Sequence, residues 1–164
     1  MLPPLLDAVV LWIHLLSAVL FVGGSLFIWL VVLPASKLIA EDESERMQII
    51  EKIARRFGRI TNITLVVLVL SGVYNASWYL PSTGALFDTY LGNLLLVKIV
   101  LVTVLVALIY LHGLYFGRKI VRLARERKLE ELKKVRKQSR IVSAINLVLM
   151  MMILVFAIFL QIPP

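Results

Sequence analysis

Residues 5–34 read LLDAVVLWIHLLSAVLFVGGSLFIWLVVLP. A helix needs roughly 20 consecutive apolar residues to cross a bilayer, and this stretch exceeds that with a single acid, Asp7, near its start. It carries an imidazole, His14, and a glycine pair, Gly23-Gly24. Ionisable groups inside a span are costly and mark sites or pathways, which makes His14 the first candidate for chemistry. The stretch has no basic leader, and its apolar run is longer than the roughly 7–15 residues of a secretory signal core. It is therefore expected to be retained as a helix.

The rest of the chain repeats this character. Its 164 residues are 60% hydrophobic, with a mean hydropathy of +0.92. Soluble domains are about 45–50% apolar, so the composition excludes an ordinary soluble fold. A net charge of +8 would suit nucleic acid. However, every Lys and Arg except Lys98 falls in residues 37–59 or 118–140, between apolar runs. That is the membrane pattern, and no nucleic-acid partner is expected. The absence of cysteine excludes disulfides, thiolate metal sites and thiol redox chemistry.

The predicted architecture is all-α: an integral membrane four-helix up-down-up-down bundle in one domain, with spans at about 5–36, 60–80, 91–117 and 141–162. The first and third helices join charged cytoplasmic helical segments. The positive-inside rule puts both charged segments in the cytoplasm, with both termini and the 81–93 loop outside, in the cytoplasmic membrane. Pro34 is expected to bend or end the first span. Gly72, Asn75 and the turn Pro81-Ser82-Thr83-Gly84 are expected to interrupt the second, and Pro163-Pro164 to close the fourth. In the first charged segment Met47, Ile50, Ile53, Ala54 and Phe57 recur at helical spacing. In the second, Ile120, Leu123, Leu132 and Val135 make a partial stripe too weak for a coiled coil. The basic run there reads as a solvated face attracted to anionic lipid, at about 1 kcal/mol per charge, with Glu41-Asp42-Glu43 as another partner for it.

Depth decides which polar groups can meet. At 1.5 Å per residue, His14 lies roughly 12–15 Å and Lys98 about 8–10 Å below the outer surface. Tyr74 and Asn75 lie about one to two turns from it. These four are expected to share one outer-leaflet cluster, rimmed by Trp78, Tyr79 and Tyr90. His112 lies about 28 Å along the third helix and reads as interfacial, beside Tyr110 and Tyr115.

Each feature has two readings. His14 is a metal or axial haem ligand through neutral imidazole, or a histidine satisfied by a serine or a backbone carbonyl. Lys98 snorkels, or faces the cleft and attracts an anionic group such as a porphyrin propionate. Gly23-Gly24 reads as a close helix approach. Met150-Met151-Met152 point about 100° apart, so they form no single copper cup. No phosphate loop, dinucleotide fingerprint, HExxH or Ser-His-Asp pattern is present, and the spans hold no carboxylate pair.

Three stretches together resemble the copper-resistance D family of bacterial and archaeal membrane proteins. They are Trp12-x-His14-Leu-Leu-Ser-Ala with Gly23-Gly24-x-Leu-Phe and Leu33-Pro34; Arg55-Arg56-Phe57-Gly58-Arg59 leading to Leu70-Ser71-Gly72-Val73-Tyr74-Asn75; and Thr89-Tyr90-Leu91-Gly92-Asn93 through Lys98. The resemblance covers most of the first three spans and little of the fourth. It implies a cytoplasmic-membrane protein of copper uptake or tolerance. A weaker similarity links His14 and Lys98 to a helix-1 histidine and helix-3 lysine of the haem-dependent membrane protoporphyrinogen oxidase family. The present chain differs from that family in its long charged inner loops and the spacing of its helix-3 histidine.

The readings that result are three. In the first, copper moves or undergoes redox chemistry at an outer-leaflet site, with His14 as metal ligand and Lys98, Asn75 and Tyr74 around it. So few soft donors then call for further ligands from a homo-oligomer or a periplasmic copper carrier. In the second, haem b is held by His14 in an electron-transfer protein or oxidase. In the third, the chain is a structural subunit whose basic inner segment docks a partner.

Overall fold

Within a bilayer every backbone N–H and C=O must be satisfied inside the chain, so long apolar runs become helices. The computed structural model describes residues 4–39, 43–78, 85–126 and 128–161, and among them every regular element is helical. The expected turn at 81–84, the rim residue Tyr79, the Glu41-Asp42 pair and the final prolines lie outside the described residues.

The elements are α1 (Pro4–Phe27), a π-helical turn (Ile28–Val32), α2 (Leu33–Ile39), α3 (Glu43–Ala76), α4 (Ala85–Asp88), α5 (Tyr90–His112), a second π-helical turn (Gly113–Gly117), α6 (Arg118–Arg125) and α7 (Leu129–Phe159). Four stretches are long and apolar enough to cross a membrane: Leu5–Ser36, Gln48–Ala76, Tyr90–Leu123 and Glu130–Phe159, with mean hydropathies of 2.5, 1.5, 2.9 and 2.8. The chain divides into two compact units, Met1–Pro81 and Ser82–Pro164. In the first, α1 packs along α3; in the second, α5 packs along α7.

Pro34 does not end the first helix. A proline lacks the N–H for the residue four back and crowds that residue's carbonyl. Here the preceding turn opens to π geometry, with the Leu33 N–H bonded to the Ile28 carbonyl five residues back, and the helix continues to Ile39. Gly72 and Asn75 likewise leave α3 unbroken to Ala76. The first charged segment is not a separate amphipathic helix, because from Glu43 it is one continuous rod with the second span. Its expected apolar stripe holds only in part. Phe57 packs at Gly24, while Ile53 and Ala54 are exposed.

The second charged segment differs most from expectation. The fourth helix begins at Leu129 rather than near 141, and α6 and α7 fold against each other. Leu123, Leu132 and Val135, from the stripe judged weak, form a buried cluster with Phe116 and Ile120 against it. Two half-stripes from adjoining antiparallel helices complete one core, which neither half signals alone. The turn between them is closed by Lys128 N–H to the Leu123 carbonyl (3.1 Å) and a Lys128–Glu126 ion pair (3.0 Å). That hydrogen-bonded pair holds the Glu126 carboxyl below its ordinary pKa and raises the Lys128 ammonium. The third helix starts where the Thr89 side chain accepts the Gly92 N–H (3.0 Å), an N-cap at the mouth of an apolar run.

Candidate functional site

His14 sits about 15 Å along α1. Its Nδ1 lies 2.8 Å from Ser71 Oγ on α3. The Ser71 hydroxyl donates to its own helix, at the Val67 carbonyl (2.6 Å) with a longer approach to Leu68 (3.3 Å). A serine has one proton to give. With that proton directed to Val67, an Nδ1–H of His14 can donate to the serine oxygen, and in that tautomer the lone pair is on Nε2. Fixing one imidazole nitrogen by a hydrogen bond so that the other acts as base or ligand is how proteins orient metal-binding histidines.

The glycine beside this serine completes the seat. A Cβ on Gly72 would stand 3.3 Å from His14 Cε1, so the lack of a side chain there lets the ring lie against α3. About two turns nearer the start of α1, Asp7 Oδ1 accepts a hydrogen bond from Tyr74 Oη (2.7 Å), and Tyr74 meets Trp78 edge-on at 6.2 Å. Ser17 and Asn75 are buried in the same unit. The Asn75 carbonyl oxygen is buried without a hydrogen-bond partner, a condition that costs roughly 1–3 kcal/mol and calls for an explanation.

Three of the four expected site residues, His14, Tyr74 and Asn75, therefore belong to one hairpin. Lys98 belongs to the second unit, half-buried on α5. Sequence reasoning missed Ser71 as the residue that orients His14, Gly72 as the space for its ring, and Asp7 as the acceptor for Tyr74. A signal was present: Thr64, Ser71 and Asn75 recur at seven- and four-residue spacing, a polar seam on one face of an apolar helix.

The second hairpin has its own histidine contact. His112 Nε2 lies 2.8 Å from Ser139 Oγ on α7, and the ring is tilted against Phe116 at 5.2 Å. His112 is thus tied across its hairpin, where the sequence suggested only an interfacial ring. Of the glycine pair, Gly24 makes the close approach: a Cβ there would stand 2.7 Å from the Phe57 ring, while Gly23 faces open space. Met150 is buried and Met151 and Met152 are exposed, as three successive helical residues must diverge. Among the described residues no three His, Cys, Asp or Glu side chains converge as a metal cluster.

A family model described as Copper resistance protein D matches residues 51–160, about two thirds of the chain. The match begins inside α3 and takes in the whole fourth span, which the motif resemblance left nearly uncovered. It includes Ser71, Gly72, Tyr74, Asn75 and Lys98, and it starts after His14 and Asp7. No curated protein and no solved structure matches the chain.

Proposed function

The chain belongs to the copper-resistance D family, and from that premise we propose that it is a multi-pass membrane protein that passes copper as substrate across His14. The observation that supports this reading is the His14–Ser71–Val67 chain of hydrogen bonds, which suits the tautomer with its lone pair on Nε2. Imidazole nitrogen suits copper. The buried Asn75 carbonyl oxygen in the same hairpin supplies a second, harder donor atom.

One imidazole and one amide oxygen do not make a storage site, and no larger donor cluster stands among the described residues. Such a sparse set suits capture and release, in which the remaining ligands come from a copper carrier or a second copy of the chain. The positive-inside rule puts the charged helix ends in the cytoplasm and so places His14 in the outer leaflet of the cytoplasmic membrane, facing a carrier on that side. Asp7, bonded to Tyr74 at the same end, adds negative charge where a cation would enter.

The test is copper(I) and copper(II) binding to detergent-purified protein by competition with a chromophoric chelator, wild type against His14→Ala, with visible spectra of the same samples. Binding that disappears in His14→Ala supports the reading. Equal binding by both overturns it. A Soret band with sharp reduced α and β bands, lost in His14→Ala, overturns it in favour of haem b, which His14 would then hold.

A further inference from the structure

We propose that one face of α3 is a binding site for a single anionic diacyl phospholipid, with its headgroup on Lys52, Arg55, Arg56 and Arg59 and an acyl chain along Ile63, Val66, Leu70 and Val73. The four cations are exposed and, with Gln48 and Glu51, line a shallow depression on the helix surface. At 100° per residue all eight side chains fall within about 100° of arc, so cation and apolar stripe are one continuous face. Glu51 pairs with Arg55. No salt bridge of Lys52, Arg56 or Arg59 occurs among the described residues.

The apolar part is open: Ile63 is 66%, Val66 53%, Leu70 67% and Val73 70% exposed. From Ile63 to Val73 is about 15 Å, the depth of one hydrocarbon leaflet, half of about 30 Å. Arginine guanidinium groups match phosphate in paired hydrogen bonds, and three lie here within five residues. A phosphate group attached to an apolar chain of one-leaflet length is the chemistry this face fits. A nucleic acid or an acidic peptide would use the cations and leave the stripe unused. The site is distinct from the basic 118–140 segment, and it does not depend on the copper reading.

The experiment is native mass spectrometry of the full chain in detergent micelles doped with phosphatidylglycerol or phosphatidylcholine. Wild type is expected to retain one phosphatidylglycerol in preference to phosphatidylcholine. Joint replacement Lys52→Gln, Arg55→Gln, Arg56→Gln and Arg59→Gln is expected to lower that retention at least about tenfold, and Arg56→Gln with Arg59→Gln alone to lower it less. The control Lys133→Gln, Lys134→Gln, Lys137→Gln and Arg140→Gln is expected to retain the lipid. The proposal fails if the quadruple α3 variant retains phosphatidylglycerol, if the control loses it equally, or if wild type holds both lipids alike. Soluble glycerol phosphate is expected to compete poorly. Competition as strong as that of the diacyl lipid would mean a bare phosphate site and overturn the assignment.

Discussion

In the first hairpin His14 reaches Ser71 through Nδ1, whereas in the second His112 reaches Ser139 through Nε2. The atom chosen decides what each ring can do next. Nδ1 lies close to the ring's own backbone, so a histidine held there extends its far nitrogen away from its helix. A histidine held by Nε2 has already committed its far nitrogen to a neighbour. His14 and His112 thus each tie the two helices of their own hairpin, through opposite ring nitrogens.

The interiors differ in the same direction. Among the described residues, five of the six buried polar side chains, Ser17, Ser36, Thr64, Ser71 and Asn75, are in the first hairpin, while seven of the nine buried apolar ones, from Leu95 to Leu160, are in the second. Inside a bilayer, burying a leucine against protein gains little over burying it in lipid, so polar contacts and close packing hold helices together. The second hairpin instead builds its Leu123–Leu132–Val135 cluster among charged neighbours, where α6 meets the start of α7. One hairpin is built around a polar seam, the other around an apolar clasp.

The largest effect that separates them is expected from the histidines. His14→Ala should abolish copper binding and His112→Ala should leave it intact, both by chelator competition; loss in the His112 variant would erase the distinction. Next, Leu123→Ala should destabilise the charged end of the second hairpin by about 2–5 kcal/mol, seen as accelerated hydrogen exchange across α6 and the start of α7 with α1 and α3 unaffected. Exchange that rises equally in both hairpins would show that the clasp does not belong to one unit.

Ser71→Ala frees the His14 ring from its tautomer and should weaken copper binding about 10–100-fold. Ser139→Ala should have no effect on the same titration. Gly24→Ala forces its methyl into the Phe57 ring and should lower thermal stability by about 1–3 kcal/mol, the usual range for overpacking, whereas Gly23→Ala, facing open space, should cost nothing. The smallest change is Tyr74→Phe, which removes one interhelical hydrogen bond to Asp7 and should cost about 0.6 kcal/mol, the mean for such bonds in a membrane. A cost well above that would make the Asp7–Tyr74 pair, rather than the His14–Ser71 pair, the main fastening of the first hairpin.

Some of this was legible in the residues. The spans and the close approach at the glycine pair followed from composition and spacing. So did the alternative that His14 bonds a serine, although which serine did not. The lengths of the helices were misjudged wherever charge was taken for a boundary. At Glu43 and at Leu129 the helix runs on through charged sequence, because Lys, Arg and Glu are good helix formers in water and the backbone need not stop where the hydrocarbon does.

The order of apolar and charged blocks determined by itself that this chain is helical and made for a membrane, since only helices and closed barrels satisfy a backbone in lipid. It also put one imidazole deep in the first span. Only the tertiary structure decided which nitrogen of that imidazole is committed, because that depends on a serine 57 positions away in sequence and on where the serine sends its own proton. The weak stripe of the basic segment became a core in the same way, when α6 and α7 brought its two halves face to face. Sequence fixes which groups are present on a helix; antiparallel packing fixes which of them meet, and with single hydrogen bonds a shift of one residue turns the partner to another face.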